Sequence, residues 1–170
     1  MSAPRNALIA FALVAAIAAA RLSLAAERPA VVEAGKLAPE LRVEGWKNSK
    51  PLALADLQGK VVLLPFWGAR SRPSLDELPR LRKLHRDLEG KDVVLLSVHV
   101  KKGAEAMPGL VEQYGLDWPI CVDPEGDTAK AYKVRAIPHH VLIDKTSIVR
   151  DADLPLDDAR AAIDKLLTER

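Results

Sequence analysis

Apolar and polar positions alternate in different rhythms along the chain, and each rhythm predicts an element. Val61-Val62-Leu63-Leu64-Pro65-Phe66 is an unbroken apolar run after the turn Asp56-Leu57-Gln58-Gly59-Lys60, which predicts a strand buried on both faces. From Ser74 to Leu88 the spacing changes. Leu75, Leu78, Leu81, Leu84 and Leu88 recur at intervals of three and four, the stripe of an amphipathic helix. Ser74 with Glu77 three residues later reads as a capping box at its start, and Pro79 inside it predicts a kink.

The rest of the chain continues the alternation. Leu41–Glu44 and Leu52–Leu54 are short strand candidates around the turn Asn48-Ser49-Lys50-Pro51. Val93–Val98 is a second buried strand, followed by a helix from about Glu105 to Tyr114 and a short strand Trp118–Val122. A turn at Asp123–Gly126 leads to a helical turn Thr128–Tyr132. Val141–Ile143 and Ile148–Arg150 form a hairpin over Asp144–Ser147, and a helix from about Leu156 to Leu167 closes the chain. Strands alternating with helices predict an α/β sandwich whose first strands are parallel, and the hairpin makes the sheet mixed.

The N-terminus has another rhythm. Ala7–Ala20 is an apolar run of 14 residues between Arg5 and Arg21, with a small-residue exit at Ala25-Ala26 before Glu27-Arg28. A basic start, an apolar stretch and a small-residue exit are the layout of a secretory signal peptide. The run falls short of the roughly 20 apolar residues that span a bilayer. An uncleaved anchor and a buried helix are the alternatives, and with no Cys near the exit a lipoprotein anchor is excluded. The expected division is a signal peptide or membrane anchor over 1–26, a linker over 27–35 and one domain over 36–170. The expected location is secreted or periplasmic, or anchored to the inner membrane, with membrane contact only through an uncleaved N-terminal segment.

Composition narrows the function. The 170 residues are 49% hydrophobic and 28% charged, which excludes a disordered, collagenous or multi-pass membrane protein. Aromatics at 4% and a formal net charge of +2 argue against nucleic acid as a partner. Cys121 is the single cysteine of the chain, so neither an intramolecular disulfide nor an all-Cys metal site can form within it.

Several motifs, in order, carry a family resemblance. Gly59-Lys60-Val61-Val62-Leu63-Leu64, then Phe66-Trp67, then a strand-to-helix loop and Glu77-Leu78-Pro79, resembles the TlpA-like thiol-disulfide oxidoreductases of the thioredoxin superfamily. Cys121-Val122-Asp123-Pro124-Glu125-Gly126 leading to Ala131-Tyr132, and Ala136-Ile137-Pro138 before Val141-Leu142-Ile143-Asp144, resemble the approach to that family's cis-proline loop and the strand after it. The resemblance covers about Gly35 to Arg170. It implies a thioredoxin-like three-layer α/β sandwich with a mixed central β-sheet. It also implies a peptide-facing groove beside a cis Pro138.

The departures from the family pattern concern its chemistry. After Phe66-Trp67 the chain reads Gly68-Ala69-Arg70-Ser71-Arg72-Pro73-Ser74, so the resemblance puts serine at both catalytic cysteine positions. The family reaction needs a thiolate and a resolving thiol, and serine hydroxyls supply neither. Pro65 stands where a buried carboxylate is common, and Arg70 where a second Trp is usual. Pro65 also lacks a ladder donor, which predicts a bulge or break in its strand.

No catalytic residue is expected at the degenerate positions Ser71 and Ser74, whose plain role is helix N-capping. The candidate ligand- or peptide-binding residues are Trp67, Arg70, Ser71, Arg72, Ile137 and Pro138, with Trp67 expected on the same rim as Ser71 and Pro138. Arg70 and Arg72 around a helix N-terminus form a candidate anion site, against the plain reading that both extend into water. His139-His140 with His99 is a weak metal candidate, set against surface or loop histidines, and no metal or cofactor is expected. Cys121 is expected to be inert packing. Three functions are therefore carried forward: a non-redox module binding an extended peptide, protein or ligand; a thiol-disulfide oxidoreductase or peroxidase-like protein acting through Cys121; and a purely structural module anchored at the envelope.

Overall fold

The apolar run after Lys60 forms strand β2, Val61–Trp67, with all seven residues buried. A computed structural model describes residues 32–169, and β2 lies at the middle of its seven-stranded mixed sheet. The other strands are β1 (Glu44–Lys47), β3 (Val93–Leu95), β4 (Ser97–Val100), β5 (Ile120–Asp123), β6 (His139–Ile143) and β7 (Val149–Asp151). Their order is β1-β5-β4-β2-β6-β7, with β3 also paired to β2. β2 runs parallel to β3 and β4 and antiparallel to β6, and β6–β7 is the antiparallel hairpin.

Pro65 leaves its mark on one edge of β2 only. Pairing with β6 is continuous from Val62–Ile143 to Phe66–His139. On the other edge, Val61–Leu63 pair with β3 and Phe66–Trp67 with β4, and the expected strand Val93–Val98 is split at Leu96. A proline cannot donate to the ladder, so the interruption falls where its donor is missing. Leu96 N–H reaches back to the Leu63 carbonyl at 3.0 Å and keeps the two halves in line.

Alternation along β2 sends Val61, Leu63 and Trp67 to one face of the sheet, and Val62, Leu64 and Phe66 to the other. The first face packs against α1 (Arg72–Asp87), α2 (Met107–Tyr114) and α4 (Leu156–Thr168), through Leu78, Leu81, Val111 and Ile163. The second face is covered by the 3-10 turn Leu54–Leu57, by Tyr132 just after α3 (Asp127–Ala131), and by Val32. Tyr132 O–H donates to the Pro39 carbonyl at 2.7 Å, and burial pushes its pKa well up.

Four expectations change. Leu52–Leu54 is not a strand; Leu54 begins the 3-10 turn, where Asp56 accepts from the Ala53 N–H at 2.9 Å. The first strand lies later than Leu41–Glu44, at Glu44–Lys47 against β5. Helix α1 starts at Arg72, two residues before Ser74, and runs through Pro79 to Asp87. The end of the expected linker belongs to the domain, because Val32 is 3% exposed, its N–H donates to Ala131 O at 2.7 Å, and Gly35 N–H donates to Val149 O at 2.8 Å. The expected signal peptide over 1–26 lies outside the described residues. Among the described residues no helix is long and apolar enough to cross a membrane.

Val32→Ala removes two buried methyl groups, a loss of about 1.5 kcal/mol at ~0.8 kcal/mol each. Urea unfolding should show a lower midpoint with an unchanged slope; an unaltered midpoint would return Val32 to the linker.

Candidate functional site

Strand β2 ends at Trp67 and hands the chain to Gly68. A β-carbon at Gly68 would sit 2.7 Å from Ile137 Cδ1 and 3.0 Å from Val100 Cγ2, so the loop packs closely onto Ile137 and a larger residue would have to displace the tip of its side chain. The Ile137–Pro138 peptide bond is cis. Ser71 N–H returns to the Gly68 carbonyl at 3.0 Å, a tight turn that aims the chain into α1.

His99 holds the turn from beneath. Its Nε2 accepts from the Ala69 N–H at 2.8 Å, and its Nδ1 faces the Val100 carbonyl at 2.6 Å. The two partners assign the tautomer: the hydrogen is on Nδ1 and Nε2 is the acceptor. Burial lowers the pKa of this fully buried imidazole, and its ring stands edge-on to Trp67 with centroids 4.7 Å apart. Trp67 is only 1% exposed. The expectation that it lies on the binding rim is corrected: it belongs to the core face of β2, where it supports the loop from below.

Ser71 caps α1. Its Oγ accepts from the Ser74 N–H and donates to the Ile137 carbonyl, each at 3.3 Å. One hydroxyl thus joins the helix start to the residue before Pro138. Pro73 sits at the second helical position, where its missing N–H costs nothing. Ser74, expected to head a capping box, is instead inside the first turn, 1% exposed, with no protein partner for its Oγ.

Both arginines of the candidate anion site are already engaged. Arg70 pairs with Glu105 at 2.9 Å and Arg72 with Asp76 at 2.8 Å. The Glu105 backbone N–H and the Arg70 guanidinium hold the Glu105 carboxyl below its ordinary range. All four side chains are exposed, so water screens both pairs, but each guanidinium has a carboxylate beside it.

The remaining candidates separate. His139 and His140 are buried, not surface residues, and alternation along β6 sends them to opposite faces. His139 Nδ1 lies 3.0 Å from Asp153 Oδ1, His140 Nε2 lies 3.0 Å from Glu77 Oε2, and both His99 nitrogens are taken by backbone groups, so the three imidazoles do not converge on one point. Cys121 is fully buried, its thiol donates to the Ser97 carbonyl at 3.5 Å, and burial pushes its pKa up to about 12. Beside Pro138 a cavity of about 540 Å³ opens, lined by Val32, Tyr132, Arg135, Ala136, Pro138 and His139 among others. Sequence reasoning missed the His99 brace and the Glu77–His140 contact, since each joins residues from distant elements.

Comparison with known proteins agrees with this geometry. The sequence model of the AhpC/TSA family matches residues 34–152. Thiol-disulfide oxidoreductase ResA of Bacillus thuringiensis subsp. konkukian is 33% identical over 114 residues, which cover 67% of this chain and 65% of that protein. ResA of Geobacillus kaustophilus is 31% identical over 119 residues, covering 70% and 68%. The chain thus spans about 65% of the length of the first of these curated relatives. Among solved structures, a thioredoxin-like superfamily protein superposes with a TM-score of 0.70 at 30% identity, covering 79% of this chain and 97% of that one. A thiol-disulfide isomerase from Corynebacterium glutamicum gives 0.67 at 25% identity, covering 78% and 98%.

Ser71→Ala removes the cap and the tie to Ile137 together. Chemical denaturation should show a loss of about 0.5–2 kcal/mol, the range for a lost N-cap. A loss confined to a few tenths would mean that the hydroxyl bonds are not formed in solution.

Proposed function

The chain belongs to the AhpC/TSA family and shares its fold with thiol-disulfide oxidoreductases, and from that premise we propose that it is a non-redox member: an exported thioredoxin-like domain that binds an extended peptide segment beside Pro138. The observation that carries this reading is Ser71. It occupies the start of α1, facing the Ile137–Pro138 segment, and it is bonded there as a structural cap. A serine hydroxyl is not ionised by a helix N-terminus as a thiol is, and two serines form no reversible covalent bond.

Binding needs less than catalysis. Among the described residues, the backbone N–H groups of Arg135, Ala136 and Ile137 donate to no backbone carbonyl. Such groups suit the main-chain pairing by which an extended peptide adds to an edge. Arg135, Ala136 and Pro138 also line the adjoining cavity, which offers room for a side chain of that peptide. The thiol of Cys121 supports no competing chemistry, being buried and held protonated. Export is inferred from the Ala7–Ala20 run and its flanks.

A glutathione-buffered redox titration tests the reading. The unmutated protein should show no two-electron couple, and Cys121→Ser should leave the result unchanged. Ser71→Cys with Ser74→Cys should gain one couple, two thiols giving up two electrons and two protons to form one disulfide. A two-electron couple in the unmutated chain would overturn the proposal. In parallel, extended peptides should shift the Ala136 and Ile137 amide resonances.

A further inference from the structure

The cavity beside Pro138 carries charge that main-chain pairing leaves unused. Lys133 and Arg135 both line it, two positions apart and directly before the free amides of Ala136 and Ile137. Both residues are exposed, and among the described residues neither makes an ion pair. Arg70, Arg72, Arg80, Lys83 and Arg160 differ in this respect, since each already has a carboxylate beside it.

Lys133 also stands where a helix end usually has glycine. It follows α3 with a φ of 53°. Its N–H donates to the Lys130 carbonyl at 3.1 Å, and the Val134 N–H donates to the Ala129 carbonyl at 2.9 Å, which closes a left-handed helix terminus. Glycine adopts that φ freely, whereas a residue with a β-carbon is strained there. The turn therefore holds a cation at the edge of the cavity against the preference of its own backbone.

We propose that the peptide bound beside Pro138 carries an acidic side chain, received in this cavity by Lys133 and Arg135. The inference rests on the peptide-binding reading and adds to it the chemistry of one side chain. Successive side chains of an extended peptide point to opposite faces, so a segment paired with the 135–137 backbone turns alternate residues toward one side. The free N–H groups there place further partial positive charge on the same rim.

Two acids also line the cavity, Glu33 and Asp153. Asp153 Oδ1 is engaged with His139 Nδ1 at 3.0 Å. Glu33 lies on the segment that enters the domain, and among the described residues it makes no ion pair. The Tyr132 hydroxyl donates to the Pro39 carbonyl, so it is not the group that meets the ligand. Both acids repel a doubly charged group more than a singly charged one, which favours a carboxylate over a phosphate.

Amide NMR titrations of the full chain test the proposal, with three C-terminally amidated hexapeptides of alanine and valine that differ only in a central glutamate, glutamine or lysine. Shifts at Ala136 and Ile137 report main-chain binding of any of them. The glutamate peptide should bind about threefold to tenfold more tightly than the glutamine peptide, the range for two exposed ion pairs, and the lysine peptide more weakly than either. The preference should shrink at high salt. Arg135→Gln and Lys133→Gly should each cut it by about twofold to threefold. Lys133→Gly should do so while raising the urea midpoint, because glycine suits the turn, so its loss of binding is not a loss of fold. Glu33→Gln should tighten the glutamate peptide. Equal binding of the glutamate and glutamine peptides, or a preference that survives loss of both cations, would overturn this inference and leave the peptide-binding reading intact. Absence of shifts with all three peptides would overturn both.

Discussion

Strand β2 is buried along its whole length and paired on both edges, and the position of every other part follows from that. An inner strand has to satisfy both rows of its backbone groups, since an unpaired buried N–H or C=O costs about 1–3 kcal/mol. Pro65 removes one donor from the middle of this strand. The sheet answers by dividing the neighbouring strand at Leu96 and re-pairing it beyond the gap, so β2 still extends straight to Trp67. The strand therefore delivers Gly68 into close contact with the side chains of Ile137 and Val100. The helix start and the Ile137–Pro138 segment are consequently brought together before any side-chain hydrogen bond is made.

Local rhythm made much of this legible. The apolar run of β2, the leucine stripe of α1 and the β6–β7 hairpin are period-2 and period-3.6 signals, and each appears near its expected place. The failures share a cause. Ser74-x-x-Glu77 has the form of a capping box, but the cap is Ser71, because Pro73 suits the first turn and Glu77 is drawn to a histidine 63 positions away. Trp67 was expected on the rim beside Ser71 and Pro138; it is instead buried in the core face of β2, edge-on to His99 from β4. Pairings such as Arg70 with Glu105, 35 residues apart, are set by how elements pack and leave no trace in local spacing.

The same pairings decide what the loop can attract. A helix N-terminus carries about half a unit of positive charge, and two flanking arginines would reinforce it. With Glu105 and Asp76 in place the arginines are paired, and the Ser74 amide is taken by Ser71 Oγ. What faces outward is consequently less an anion trap than a stretch of backbone at residues 135–137. Under the proposed peptide-binding reading, recognition there would run through a main chain rather than through the charge of the loop.

The buried polar groups differ in role, and magnitudes separate them. A thiol with a pKa of about 12 is ionised in only about one molecule in 100,000 at pH 7, and Cys121 has no exposed surface through which a substrate could reach it. Covalent chemistry at that site is suppressed twice over. His99 is equally buried but bonded at both ring nitrogens, so it fixes the geometry of the turn. Glu77 and His140 are the exception, since each has an atom left over and that atom faces the other. Glu77 and His140 lie 3.0 Å apart across the helix–sheet interface, between the helix that carries Ser71 at its start and the strand that follows Pro138.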